Sequence, residues 1–301
     1  MIRPMVGYGT DSPQIQWPHR ARLAINFVIN YEEGAELSPV NGDKTAEIYG
    51  GEYPLASKPR GKRSLSMESL FEYGSRAGLW RLIRLFDSEK IAVTFFITGY
   101  ALRLNPQFSS YLRSANHDIA GHGWRWFDYA QLSFKEEKAH ILNCIKTVEE
   151  LTGIKIQGWY TGRRSESTRP ILQEIGGFLY DSDSYSDDFP YFENNHLIIP
   201  YSLVCNDFRF STSPGFNTAD DFFSFLKNTF DYLYEENRHT MMTIGLHPRF
   251  SGHPGRCVAV KQFIHYLKQF SDIWIAHRLE IAEYWHKQFA SYQSKSNPDS
   301  T

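Results

Sequence analysis

The stretch Leu23-Ala-Ile-Asn-Phe-Val-Ile-Asn-Tyr-Glu-Glu-Gly34 is an apolar run that ends at two adjacent carboxylates and a glycine. A run of this length, rich in Ile, Val and Phe, predicts a parallel strand that is covered on both faces. Ligands of α/β folds bind at the carboxyl ends of such strands, and two neighbouring acids there favour a raised pKa in one of them. Glu32 and Glu33 are therefore candidate catalytic residues. The alternative is an exposed acidic pair that opens a loop.

Strand and helix patterns alternate along the rest of the chain. No Gly-x-Gly-x-x-Gly sequence follows the first strand, so the pattern favours a barrel of the (β/α) type over a dinucleotide-binding fold. The segment 35–64 is rich in Gly, Pro and charge, is too long for a turn, and is predicted to cover the mouth of the site. The other predicted strands are 93–97, 118–121, 158–160, 178–180, 197–204, 241–246 and 273–276, and the predicted helices are 75–90, 106–114, 133–151, 168–175, 219–236, 257–270 and 279–289.

Length and composition predict one catalytic domain over residues 1–290 and a disordered polar tail over residues 291–301. The net charge of −2 and the mixing of both signs along the chain argue against a nucleic-acid partner. No apolar run approaches the roughly 18 residues of a membrane span. The three cysteines lack metal-ligand spacing, and the first residues lack an apolar signal core, so we expect free thiols and a cytoplasmic protein.

Polar side chains interrupt the apolar pattern at the ends of the predicted strands, which meet at one face of a barrel. His247 ends an apolar strand, and its imidazole suits general acid or base work near neutral pH. His122 lies between two glycines, which leave room for a ligand, although it could equally be a hydrogen-bonded loop histidine. Arg163 could orient a carboxylate or bind an oxyanion, and the alternative is an ordinary salt bridge.

Together these residues resemble the polysaccharide deacetylase superfamily, whose fold is a deformed (β/α) barrel, here with about seven or eight strands. Asn30-Tyr-Glu-Glu-Gly34 stands where that family has Thr-Phe-Asp-Asp-Gly, and His122 stands for the first member of a His-x-x-x-His pair. Arg163 stands for the arginine of the third motif. Asp181-Ser-Asp183 and Leu246-His247 stand for the fourth and fifth motifs.

Two departures from the family pattern are specific. Both acids are Glu instead of Asp, and Trp126 occupies the second histidine position, so the usual Asp-His-His metal site cannot form. This pattern is similar to the metal-independent allantoinase branch of the superfamily, as are Gly158-Trp-Tyr-Thr-Gly-Arg163 and Gly176-Gly-Phe-Leu-Tyr-Asp-Ser-Asp183. The resemblance implies hydrolysis of the hydantoin ring of allantoin to allantoate in purine degradation, without a metal or other cofactor, by a homotetramer.

The resemblance also implies roles for individual residues. Glu32 is expected to be the general base, with Glu33 as the alternative, and His247 the general acid that protonates the departing nitrogen. Arg163 is expected to fix the base or the developing oxyanion, which completes the catalytic set. The expected substrate-binding residues are His122, Trp126, Trp159, Asp183, Asp207 and Arg249.

Three other functions remain open at this point. A metal-dependent deacetylase of amino sugars or wall glycans has the same fold, but Trp126 and the missing export signal argue against it. A hydrolase of another cyclic amide or imide would carry many of the same motifs. A non-catalytic binding protein on a decayed enzyme barrel is disfavoured, because acid, histidine and arginine remain at separate strand ends.

Overall fold

The computed structural model describes residues 3, 5–51 and 58–296, with side chains to residue 289. Its centre is one curled sheet of nine strands, all parallel except one, with helices between most of them. The predicted deformed (β/α) barrel is therefore confirmed. The strands are β1 (Leu23–Tyr31), β2 (Thr94–Ile97), β3 (Asp118–Gly121), β4 (Gly158–Trp159), β5 (Tyr180–Asp181), β6 (Tyr191–Glu193), β7 (His196–Ile198), β8 (Met241–Leu246) and β9 (Ile273–Ile275).

The helices pack on the outside of the sheet, and two of them join through a single π-helical turn at Gly74–Gly78. The longest helix with described side chains, α5, begins with the predicted capping box of Ser133 and Glu136 and ends before Gly153. The α-helices are α1 (Leu65–Tyr73), α2 (Leu79–Glu89), α3 (Gly99–Leu104), α4 (Pro106–Leu112), α5 (Phe134–Thr152), α6 (Thr168–Ile175), α7 (Ala219–Glu236), α8 (Pro254–Leu267) and α9 (Arg278–Ser296).

Strand β1 pairs with three other strands of the curled sheet. One of its edges pairs with β8, and its other edge pairs with β9 near the start of the strand and with β2 near its end. The sheet continues from β2 through β3, β4, β5 and β7 to the antiparallel β6. Because these strands run parallel, their carboxyl ends share one rim, and Glu32 and Glu33 follow β1 at that rim.

Successive side chains of β1 point to opposite faces of the sheet. Ile25, Phe27, Ile29 and Tyr31 belong to the cluster that packs under the helices, whereas Ala24 and Val28 belong to a second cluster inside the barrel. Continuing this alternation past the end of the strand puts Glu32 on the inner side and Glu33 on the side of the helices.

The π-helical turn fits against the site because it begins and ends with glycine. A Cβ atom on Gly74 would lie 2.5 Å from Glu33 Oε1, and a Cβ atom on Gly78 would lie 2.0 Å from the carbonyl oxygen of Pro248. Both separations are far below normal contact. The two glycines therefore allow the helix backbone to approach Glu33 and the loop that follows β8.

Some element predictions were incomplete. Helices α1 and α3 and strand β6 were not predicted, and the strand expected over residues 197–204 is confined to His196–Ile198. The disorder expected over residues 291–301 stays a prediction; α9 extends to Ser296, and residues 297–301 lie outside the described residues. Within the described residues, no helix is long and apolar enough to cross a membrane.

Candidate active site

Glu32 is the centre of a buried cluster at the carboxyl end of β1. Its Oε1 lies 3.0 Å from His122 Nε2 and 3.7 Å from His247 Nε2. Its Oε2 lies 2.8 Å from a terminal nitrogen of Arg249, in an ion pair without hydrogen-bond alignment. All four side chains are almost completely buried. We call Glu32, His122, His247 and Arg249, together with Trp126 beside them, the inner site.

The hydrogen bonds of His122 indicate where its protons lie. Nδ1 is 2.6 Å from the carbonyl oxygen of Tyr160, and a carbonyl can only accept, so Nδ1 carries a proton and donates it. Nε2 faces Glu32 at 3.0 Å, and this contact also needs a proton between the two atoms. His122 is therefore fixed by the Tyr160 carbonyl through Nδ1 and holds the carboxylate of Glu32 with Nε2.

His247 is oriented by a carboxylate behind it. Asp207 Oδ1 accepts a hydrogen bond from His247 Nδ1 at 2.7 Å, and Asp207 Oδ2 accepts from the backbone N–H groups of His247 and Ser251. Asp207 is fully buried. This fixes the ring so that Nε2 points towards Glu32, an arrangement in which a histidine can deliver or accept a proton at one defined atom.

The two adjacent glutamates differ in protonation. Burial alone would raise the pKa of Glu32, but Arg249, His247 and His122 outweigh burial and hold that pKa well below its usual range. Burial raises the pKa of Glu33 to about 8, and the charge of Glu32 adds to the increase against the opposing effect of Arg249. At neutral pH Glu32 is therefore ionised and Glu33 is protonated, the kind of split that separates the roles of paired acids.

An aromatic wall closes the inner site next to Arg249. Trp126 packs against Phe71 and Phe208, and the guanidinium carbon of Arg163 lies 4.4 Å above the Trp126 ring. Gly50, with φ of +77°, lies against this wall, where a Cβ would be 3.1 Å from the Trp126 ring. Gly50 therefore lies against the aromatic wall, and the covering role of segment 35–64 stays a prediction.

Arg163 does not contact the acids in the way that the sequence suggested. Among the described residues, Arg249 forms the ion pairs with Glu32 and Glu33. Arg163 packs on Trp126, and one of its terminal nitrogens has no hydrogen-bond partner there. Asp183 holds the Arg163 loop, because its two oxygens accept from the N–H groups of Thr161 and Gly162 at 2.8 and 2.7 Å. Arg163 therefore keeps a free donor at the edge of the site.

Three expected substrate-binding residues lie behind the site instead of facing it. Trp159 is fully buried in the core, donates to Thr161 and fills the space beside Gly121. Asp207 is covered by His247, and both carboxyl oxygens of Asp183 are engaged by backbone N–H groups. Of the six expected binding residues, the structure brings His122, Trp126 and Arg249 together around Glu32.

The residues at the former metal position do not fit a metal ion. Trp126 has no atom that can coordinate a cation, and among the described residues no group of three or more His, Cys, Asp or Glu side chains could hold one. Glu33 accepts the backbone N–H of Glu32 through Oε2 at 2.9 Å. The positive charge that faces the acid pair belongs to the guanidinium of Arg249.

Sequence reasoning missed several contributors to the site. Phe208, Phe71 and Gly50 line it, and Tyr160 supplies the carbonyl that fixes His122. Phe208 directly follows Asp207, so its position next to a motif was a usable signal. Phe71 and Gly50 come from an unpredicted helix and an irregular segment, for which the sequence has no comparable signal.

Fold and site together define a deacetylase-type hydrolase barrel with acid, histidine and arginine at the strand ends. The model of the polysaccharide deacetylase family matches residues 59–176. A Schizosaccharomyces pombe protein provisionally named a polysaccharide deacetylase is 34% identical over 295 residues, covering 89% of this chain and 92% of that protein. The chain belongs to the polysaccharide deacetylase family. It is a hydrolase of this superfamily that acts on carbon–nitrogen bonds.

Two solved structures resemble the whole molecule. The crystal structure of PuuE allantoinase has a TM-score of 0.92 at 45% identity and covers 95% of this chain and 97% of its own. A Pseudomonas aeruginosa PAO1 protein, provisionally named a polysaccharide deacetylase, has a TM-score of 0.92 at 44% identity and covers 95% of this chain and 98% of its own.

Proposed function

We propose that this protein is an allantoinase that opens the hydantoin ring of allantoin to give allantoate in purine degradation. The observation that carries the proposal is the inner site, in which one ionised carboxylate lies between two imidazoles and a buried arginine occupies the place of metal charge. The 45% identity to an allantoinase over 95% of the chain supports this substrate.

In the proposed reaction Glu32 takes a proton from the attacking water, and His247 gives a proton to the nitrogen that leaves the ring carbonyl. Glu32 Oε1 and His247 Nε2 lie 3.7 Å apart, so the proton gained by one can restore the other after product release. Asp207 lies at Nδ1 of the His247 ring and Glu32 lies near Nε2, so each ring nitrogen faces a carboxylate. The free donor of Arg163 is assigned to the developing oxyanion.

The leaving group explains how such a site can operate without metal. Ring opening expels a ureide nitrogen, which is a better leaving group than the amine of an N-acetyl sugar, so less Lewis-acid assistance is required. General base catalysis contributes typically about 10² to 10⁴-fold, and a buried carboxylate can supply it. The flat ring of the substrate is proposed to lie against Trp126.

The test is direct turnover. Purified protein is incubated with allantoin, hydantoin, dihydrouracil, succinimide and chitooligosaccharides, and the products are identified. We expect allantoate from allantoin and much slower turnover of the other compounds. Release of acetate from chitooligosaccharides, with no turnover of allantoin, would replace this proposal with the deacetylase activity for which the S. pombe and P. aeruginosa relatives are provisionally named. Light scattering on the same sample tests the expected homotetramer.

A further inference from the structure

The loop between β4 and α6 carries Arg163 and is held to the rest of the barrel on both sides of it. Before Arg163, the two carboxyl oxygens of Asp183 accept backbone N–H groups of the loop. The carbonyl oxygen of Arg163 itself accepts the backbone N–H of Tyr129 at 3.1 Å. After Arg163, the loop is attached to Glu137 of α5, which lies outside the inner site.

Glu137 is fully buried, and both of its carboxyl oxygens accept hydrogen bonds from hydroxyl groups of this loop. Oε2 accepts from Ser165 Oγ, and Oε1 accepts from Thr168 Oγ1. Burying a carboxyl group is costly unless it is hydrogen-bonded, and these two hydroxyl groups offset that cost. The bonds join positions that are 28 and 31 residues apart in the chain, so they tie two separate elements together.

The same two hydroxyl groups accept hydrogen bonds from the loop backbone. Ser165 Oγ accepts the Ser167 N–H at 2.8 Å, and Thr168 Oγ1 accepts the Ser165 N–H at 3.0 Å. A hydroxyl group has one proton, and Glu137 accepts it in both cases, which leaves the lone pairs for the backbone. Glu137 therefore sets the direction of both hydroxyl groups, and the four hydrogen bonds form one connected network shortly after Arg163.

The free donor of Arg163 depends on where this loop places the residue. Its guanidinium carbon lies 4.4 Å above the Trp126 ring, and Nη2 is buried without a hydrogen-bond partner among the described residues. A donor that meets a charge developing in the transition state is effective only if the protein fixes its direction beforehand. The backbone on both sides of Arg163 must therefore be held.

We propose that Glu137 is a positioning residue for the reaction, and that it acts through the Arg163 loop without contact to the substrate. By holding Ser165 and Thr168, it keeps Nη2 of Arg163 directed at the developing oxyanion. This role rests on the proposed function, in which Arg163 stabilises that charge. Loss of Glu137 should reduce stabilisation of the transition state and leave binding of the substrate nearly unchanged.

A double-mutant cycle on allantoin turnover tests the connection between the two residues. Glu137→Gln keeps the size of the side chain but has one acceptor oxygen in place of two, so it should lower kcat at least about tenfold and change KM less than about twofold. In an Arg163→Ala background the same substitution should have little further effect on kcat, because the residue through which Glu137 acts is already gone.

Glu136→Ala is the matched control. Glu136 is the exposed neighbour of Glu137 in α5 and accepts hydrogen bonds from Ser133 at the start of the helix. Its removal weakens the cap of α5 and leaves the contacts of the Arg163 loop intact, so kcat should equal that of wild type. Circular dichroism melting curves establish that each variant is folded.

Hydrogen–deuterium exchange observes the loop directly and needs no turnover, so it separates failure of this role from failure of the proposed function. In Glu137→Gln the amides of Ser165 and Ser167 should exchange at least about tenfold faster than in wild type. The amides of Thr161 and Gly162, which Asp183 holds, should keep their wild-type rates.

Three results would overturn the proposal. The first is wild-type exchange of Ser165 and Ser167 in Glu137→Gln, and the second is a wild-type kcat for that variant. The third is an equal loss of kcat with and without Arg163, which is the result of a purely structural role. If the wild-type protein does not turn over allantoin, the exchange rates alone decide whether Glu137 holds the loop.

Discussion

Glu32 and Glu33 are neighbours in the chain, yet they end in two unlike surroundings. Glu32 reaches the inner site, where two histidines and Arg249 keep it ionised. Glu33 turns towards the π-helical turn at Gly74, where burial leaves it protonated at neutral pH. The two-residue period of a strand, continued one step past its end, is enough to give identical side chains different chemistry.

The sharpest test of this comparison removes one carboxylate at a time. Glu32→Gln should lower kcat for allantoin at least about a hundredfold, the low end for loss of a general base. Glu33→Gln should cost much less, because a protonated Glu33 is already neutral and the amide replaces it with little change of charge. Steady-state kinetics on both folded variants checks this, and an inactive Glu33→Gln with an active Glu32→Gln would exchange the two roles.

The next largest loss of activity is expected at Asp207, which orients His247 in the inner site. Asp207→Asn should lower kcat by at least about 10-fold, because His247 loses the carboxylate that fixes its Nδ1–H and its ring orientation. Its pH–rate profile should also lose or shift the alkaline limb, since His247 must be protonated to act as the acid.

His247→Ala is the reference for this effect, and it should abolish the same limb. An Asp207→Asn profile that matches wild type in both height and shape would show that Asp207 has no part in orienting the proton donor.

A smaller effect should appear in stability. The pKa of Glu33 is raised from its ordinary value to about 8 by burial, so between these values the folded protein holds a proton that the unfolded chain has lost. The stabilisation by this proton is complete below the unfolded pKa and disappears as pH rises through about 8. Melting temperature should therefore fall between pH 6 and pH 9.

Glu33→Gln should remove part of that fall, by up to about 3 °C per pH unit. Glu36, whose pKa burial raises to about 7, contributes in the same direction and stays intact in this comparison. Exposed Glu72→Gln serves as the control and should follow the wild-type curve. Parallel curves for wild type and Glu33→Gln would mean that Glu33 is ionised in the folded protein.

Removal of metal ions is expected to have no effect on turnover. Protein dialysed against a chelator and checked by elemental analysis should keep its turnover of allantoin, because Trp126 cannot coordinate a metal and the Arg249 guanidinium lies 2.8 Å from Glu32. Loss of activity on chelation that stoichiometric zinc or cobalt restores would overturn the metal-free reaction and favour the deacetylase function.

The fold and the members of the inner site could be predicted because they lie in regular elements. β8 was predicted over residues 241–246, the span at which the structure has it. β1 was predicted to start at Leu23 and to stop at the Glu32–Glu33 pair, and it spans Leu23–Tyr31. Apolar runs between polar ends leave little choice of boundary. His122, His247 and Glu32 follow strands directly, so one shared rim implies their proximity.

The orientation of side chains behind that rim was harder to predict. Asp183 and Asp207 looked like ligand-facing acids, but their oxygens are taken by N–H groups of nearby loops. Trp159 looked like a wall of the site and is part of the core. The position of the π-helical turn against Glu33 had no sequence signal, because α1 was not predicted and the turn lacks a clear periodicity.

Two glycines that pack on the peptide before Arg249 limit which mutations the protein tolerates. Gly78 and Gly252 each approach the carbonyl oxygen of Pro248 so closely that a Cβ would lie 2.0 Å from it. Even the smallest side chain at either position must displace the peptide next to Arg249. The geometry at Glu32 thus depends on two sites that carry no functional group, and a methyl group there would act like an active-site mutation.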